Sequence, residues 1–165
     1  FWAKEMPKQA MFNARIETVD NSPAFREAFK SKRCLIPADG FYEWTVSEDD
    51  GKKDPWFIHL PGNRPFSFAG LWAHNDKLDV TSCTIVTEPA AEPMTQLHTR
   101  QPVLLDPDYY DAWLNPGTPS ADLKDVLSHD MDGDLVFHRV SRAVNAASVG
   151  GKRNDDSSMI EPVAQ

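Results

Sequence analysis

Polar and apolar positions alternate, cluster or recur at helical spacing in separate stretches of this chain, and each pattern predicts an element. Over residues 13–19 the period is two. Asn13, Arg15 and Glu17 fall on one face and Ala14, Ile16 and Thr18 on the other, which reads as a strand. Ser22-Pro23 then offers a cap and a first-turn proline. The helix they start runs to about Lys32, with Phe25 and Phe29 four apart facing a core and cations in its last turn. Residues 35–46 are extended, with breaks at Pro37 and Gly40; Asp50-Gly51 marks a turn, and 56–60 returns as the hairpin partner. A second hairpin joins 66–73 to 80–87 around Asn75-Asp76. Short helices are predicted over 92–97, from Asp106-Pro107 through Tyr110, Trp113 and Leu114, and over 120–128. Asp132-Gly133 turns into a strand over 135–140. The polar stretch 150–158 reads as a mobile loop, and 160–163 as a segment able to dock. Strands joined by hairpins, with helices interspersed, make an α+β fold of one domain over residues 1–165.

Composition narrows the classes. The chain has 165 residues, 41% hydrophobic and 25% charged, enough to bury a core. The thirteen prolines are spread along it, and no internal repeat stands out. No stretch approaches the roughly 20 apolar residues of a membrane span. The first residues lack the basic start and apolar run of a signal peptide. Two cysteines, Cys34 and Cys83, exclude a disulfide-dense scaffold and read as small buried residues; a reducing cytosol is the expected home. The net charge of −8 argues against broad nucleic-acid binding. It is uneven: residues 1–33 sum to +3 and the remainder to −11, so a local polyanion site at the front stays open beside a merely solvated helix face.

The common motifs fail. There is no G-x-G-x-x-G and no P-loop. Asp130, Asp132 and Asp134 lack the glycine placement and closing Glu of a calcium loop, and the five histidines show no close ligand pair, so no metal is expected. What remains is three local clusters. Asn13, Arg15 and Glu17 line one strand face, which an exposed surface also explains. Glu43 lies among Phe41, Tyr42 and Trp44; it is either a solvent-facing strand residue or a carboxyl desolvated toward neutral pKa, where it can give and take a proton. His98 sits where a short helix gives way to an extended run, with Arg100 two residues on; it is either a satisfied histidine or a titrating one.

The order and wording of four segments go further. NARIET (from Asn13), PAFREAFKSKRCLIPADGFYEW (from Pro23), HTRQPVLL (from His98) and VSRAVN (from Val140) together resemble the SOS response-associated peptidase family, the SRAP domain. The resemblance spans Trp2 to about Val163. It implies a mostly antiparallel, barrel-like sheet with flanking short helices, and a sensor of abasic sites in single-stranded DNA. In such proteins a leading cysteine offers its α-amine and thiol to the ring-opened sugar aldehyde and closes a thiazolidine. The carried-over roles are Asn13 positioning that cysteine, Arg15 holding the phosphate beside the abasic sugar, Glu43 as acid/base for the imine, and His98 for ring opening. Arg100, and more weakly Thr87, would contact backbone phosphate, and Trp2 would stack on a base or pack in the core. No cofactor and no membrane partner are implied, and a monomer is expected. Neither Cys34 nor Cys83 matches the family's nucleophile; the expectation is a chain holding the pocket walls and acid/base residues without the segment that bears it. Gln101 stands where the family usually has Met, a difference of local packing. Three other readings compete: a cysteine-type autopeptidase removing the initiator Met, a non-covalent single-strand binder, and an acidic domain with a protein partner.

Overall fold

The computed structural model describes residues 11–146, 148–149 and 152–163. In chain order the strands and helices are β1 (Asn13–Arg15), α1 (Arg26–Ser31), β2 (Arg33–Ala38), β3 (Phe41–Val46), β4 (Lys53–His59), β5 (Phe66–Asn75) and β6 (Val80–Pro89). They continue with β7 (Arg100–Pro102), α2 (Tyr110–Leu114), α3 (Leu123–Leu127), β8 (Val136–Arg139), β9 (Ser148–Val149) and β10 (Lys152–Arg153). Strands dominate and the helices are short, as the α+β pattern predicts. The chain divides into two compact units.

Among the described residues, the first unit comprises 11–38, 66–89 and 100–132. Its five-stranded sheet runs β1-β6-β5-β2, with β7 also beside β6. Six consecutive positions of β5, Phe66 to Leu71, are buried without alternation, because this interior strand is covered on both faces. The turn after it is held by Asn75, whose Oδ1 accepts from the Lys77 and Leu78 amides at 3.0 and 3.2 Å. Pro37 lies within β2 and does not break it: β2 is a terminal strand of the sheet, where a missing N–H costs no ladder bond. The helices pack Phe29 and Trp113, 1% and 0% exposed, edge to face with centroids 6.0 Å apart.

Arg33 fastens these helices. Its guanidinium is buried with no carboxylate partner among the described residues. It donates instead to the carbonyls of Phe29 (2.8 Å), Lys30 (2.5 Å), Trp113 (2.5 Å) and Asn115 (2.5 Å). Those carbonyls belong to the C-terminal turns of α1 and α2, the negative ends of both helices, so one cation satisfies orphan acceptors of two elements.

The second unit comprises residues 39–65, 90–99 and the described residues from 133 to 163. Its three-stranded sheet runs β3-β4-β8, and β9 and β10 form a separate pair. Gly40, where β3 begins, is required by close approach: a Cβ there would lie 2.2 Å from the Phe57 ring. Arg142 ties the 50–54 turn to the chain after β8, donating to Asp54 (2.6 Å) and to both oxygens of Asp50 (2.6 and 3.0 Å). The 160–163 segment docks as expected, through a Val140–Pro162 bridge and a 3.0 Å bond from the Val163 amide to the Arg139 carbonyl. Within 152–158, β10 pairs antiparallel with β9, and Asn154 donates to the Ala143 and Ala146 carbonyls at 2.9 Å.

Four expectations are corrected. The strand expected over 13–19 stops at Arg15, because the Thr18 amide turns back to the Arg15 carbonyl (3.1 Å) and the Asn21 and Ser22 amides to that of Thr18. Ser22 does not cap α1 with its side chain; its carbonyl accepts from the Phe25 and Arg26 amides, and the helix begins three residues after Pro23. Residues 92–97 hold only a 3-10 turn, Met94–Gln96, with the Glu92 carboxylate bonded to the Thr95 and Gln96 side chains. The sheets are not closed into a barrel: the strand order of the large sheet is linear, and no ladder joins β1 to β2 among the described residues. One ladder, β1 with β6, is parallel.

Candidate functional site

In the first unit the site is built on β1, β6 and β7. Alternation along β1 leaves Asn13 and Arg15 exposed and buries Ala14 completely. The parallel register sets Asn13 beside Ile85 and Arg15 beside Thr87. On its other side Thr87 pairs with Pro102 of β7. Three segments distant in sequence therefore meet at one threonine. The Thr87 carbonyl accepts from the Ile16 amide (2.9 Å) and from Arg100 Nη2 (2.8 Å), and Thr87 Oγ1 lies 3.3 Å from the same nitrogen. Thr87 is itself buried, 8% exposed, so it positions Arg100. The Arg100 guanidinium also forks onto Glu17: Nη1 donates to one carboxylate oxygen and Nη2 to the other, the latter at 3.0 Å. That bond holds the Glu17 carboxyl below the usual range, with smaller contributions from the charges of Arg100 and Arg15. Lys124 joins the cluster, pairing with Asp20 at 2.9 Å and reaching the Glu17 carbonyl at 3.5 Å.

Behind this surface lies an acidic group that the sequence did not disclose. Glu88, Asp130 and Asp132 each bring a carboxylate oxygen within 4.8 Å of the others, a set able to hold a cation or a proton. Glu88 Oε1 and Asp132 Oδ1 are buried without a hydrogen-bond partner among the described residues. Desolvation pushes both carboxyls well up. Asp130 adds to the rise in each, and Glu88 to that of Asp132, so the pair retains a proton where isolated acids would be ionised. Asp134, counted with Asp130 and Asp132 in the sequence, is not part of this group; β6 supplies Glu88 instead. No spacing rule connects residue 88 to residues 130–132, since the juxtaposition is made by folding.

In the second unit β3 carries Glu43 at its centre, half-buried and opposite Trp56 of β4. Tyr42 and Trp44, its neighbours in sequence, stand on the other face and pack together at 6.2 Å between centroids. The three aromatics next to Glu43 in sequence therefore do not all share its face. His98 follows the 3-10 turn that stands where a short helix was expected; its amide bonds to the Met94 carbonyl (3.0 Å) and the residue is exposed. Trp2 lies outside the described residues. Cys34 is half-buried, and burial pushes its thiol up to about 11, which suits an inert residue. Cys83 is exposed, not buried as expected: β6 turns it outward beside Trp72 of β5.

The model of the SOS response associated peptidase (SRAP) family matches residues 1–147. The chain belongs to the SRAP family. Abasic site processing protein YoaM of Bacillus subtilis is 42% identical over 151 residues, covering 88% of this chain and 66% of that protein. Abasic site processing protein YoqW of the same organism is 38% identical over 165 residues, covering 97% of this chain and 71% of its own. The chain thus spans about two-thirds of the length of these SRAP relatives. Among solved structures, a protein of Bacteroides thetaiotaomicron superposes with a TM-score of 0.77 at 22% identity, over 92% of this chain and 66% of that one, and shows the fold. A protein of Bordetella bronchiseptica reaches 0.70 at 30% identity, over 81% and 67%.

Proposed function

We propose that this SRAP chain takes part in processing abasic sites in single-stranded DNA by covalent capture. The observation that best supports this is the convergence of Arg15 and Arg100, from β1 and β7, on Thr87, with the exposed Asn13 two residues before Arg15 on the same strand face. Guanidiniums suit phosphate because their paired N–H groups match its oxygens. The curated relatives named above carry abasic site processing in their names.

The chemistry uses an N-terminal cysteine. Its α-amine, neutral in useful fraction near pH 8, attacks the C1′ aldehyde of the opened sugar and loses water to give an imine. The thiol then adds to the imine carbon; the C–S bond forms, the thiol proton passes to nitrogen, and a thiazolidine results. Holding amine and thiol on one residue makes the second step intramolecular. In this reading His98 opens the sugar ring by proton transfer, and Glu43 transfers protons in imine formation and reversal. Asn13 orients the cysteine, while Arg15 and Arg100 hold phosphates.

The test is incubation of the purified natural protein with a single-stranded oligonucleotide bearing one abasic site, read by denaturing gel and intact mass. The expected result is an adduct that survives denaturation, formed about a hundredfold more slowly by Glu43→Gln, the lower end of what one general acid/base residue contributes. Reversible binding with no adduct would replace this reading with that of a non-covalent single-strand binder.

A further inference from the structure

Arg100 is engaged before any DNA arrives. Its two terminal nitrogens fork onto the Glu17 carboxylate, while Nη2 is also anchored on the Thr87 carbonyl and hydroxyl. A guanidinium–carboxylate fork has the same two-oxygen arrangement as a guanidinium–phosphate fork. The position of the Glu17 carboxylate therefore marks where a phosphate would sit. The seat is reachable from solvent: the Glu17 side chain is 44% exposed and that of Arg100 23%. Only a side chain has to leave, because the turn that carries Glu17 is fixed by the Thr18-to-Arg15 and Ser22-to-Thr18 backbone bonds.

We infer that Glu17 is an internal occupant of a phosphate seat, a tethered anion that a DNA phosphate must displace from Arg100. This rests on the proposed role of Arg100 as a phosphate contact, and adds a specificity-determining residue to it. An occupied seat taxes every strand equally, so bare backbone binds poorly. A strand that also engages Arg15 and Asn13 recovers the loss. Displacement also alters the ion balance. The phosphate releases its condensed counterion, but the freed carboxylate takes one up, so the Arg100 contact adds little to the salt dependence while Glu17 is present.

The experiment is equilibrium binding of the full chain to a single strand of about ten nucleotides, within the range one site covers, carrying a tetrahydrofuran abasic analogue that has no aldehyde. Wild type, Glu17→Gln, Glu17→Ala, Arg100→Gln and the Glu17→Gln/Arg100→Gln double variant are compared across salt concentrations, with thermal unfolding as a check on folding. Glu17→Gln is expected to bind about two- to fivefold more tightly, the range of an exposed ion pair. Its log–log salt slope should steepen by up to about 0.7, one single-strand phosphate. The double variant should lose both gains. If Arg100→Gln weakens binding but neither Glu17 variant tightens it or steepens the slope, the displaced-anion inference fails and the phosphate contact stands. If Arg100→Gln has no effect, the phosphate contact fails and the inference with it. Weaker binding by a folded Glu17→Gln would make Glu17 a scaffold for Arg100 and overturn the inference.

Discussion

At the scale of single residues, the face a side chain occupies decides how far an acid is buried. Glu43, singled out for its aromatic neighbours, is only half-buried because a strand sends alternate side chains to opposite faces. Glu88 and Asp132 are the acids that folding pushes well up, by desolvation first and by neighbouring carboxylates second. Each binds its proton more tightly folded than unfolded. Folding therefore takes up protons above the ordinary carboxylate range, and stability falls as pH rises until Glu88, raised to about 7, and Asp132, raised to about 9, are ionised. Asp132→Asn keeps the shape, lets an amide donate to Glu88, and removes one of the two ionisations. The expected outcome, by urea unfolding at about pH 5 and about pH 8, is a flatter pH dependence and a gain on the order of 1 kcal/mol at the higher pH. Equal dependence in both proteins would show that the pair is already ionised in the folded chain.

At the scale of elements, the short helices are held from outside themselves. The six residues of α1 and five of α2 are below the length at which a helix is stable alone. Their C-terminal carbonyls converge on Arg33, whose planar fork reaches four acceptors at once. Lys at this position has three donors on one atom and cannot span both helix ends. Arg33→Lys is expected to cost about 2–3 kcal/mol through buried carbonyls left unpaired, read as a lower midpoint in chemical denaturation with an unchanged slope. A loss within about 0.5 kcal/mol, that of an ordinary surface substitution, would mean the helices hold by apolar packing alone. In the sequence Arg33 stands out only as one of the cations behind the +3 charge of residues 1–33. Its partners, 80 and 82 residues away, are not encoded by any local pattern.

At the scale of the whole molecule, an acidic chain of net charge −8 is asked to meet a polyanion. The first unit resolves this locally, with Arg15 exposed and Arg100 internally neutralised. Binding should then depend weakly on salt: a log–log slope near about −0.7, the one single-strand phosphate that Arg15 holds, reaching about −1.4 only when Glu17 is removed from Arg100. A slope corresponding to about five or more phosphates, in a salt titration of single-strand affinity, would show a far broader interface than these two cations provide. Within that frame, the sequence alone determined the two hairpins, the alternation that exposes Asn13 and Arg15, the helix start at Asp106-Pro107, and, through four ordered segments, the SRAP family. These are local or nearly local: turn residues, period-two faces and caps act over a few positions. Tertiary structure alone decided that β1 lies parallel to β6 so that Arg15, Thr87 and Arg100 converge, that Glu17 occupies Arg100, and that Glu88 joins Asp130 and Asp132. Such contacts depend on strand order and register, which are fixed by burying one continuous core, and no window of neighbouring residues contains that information.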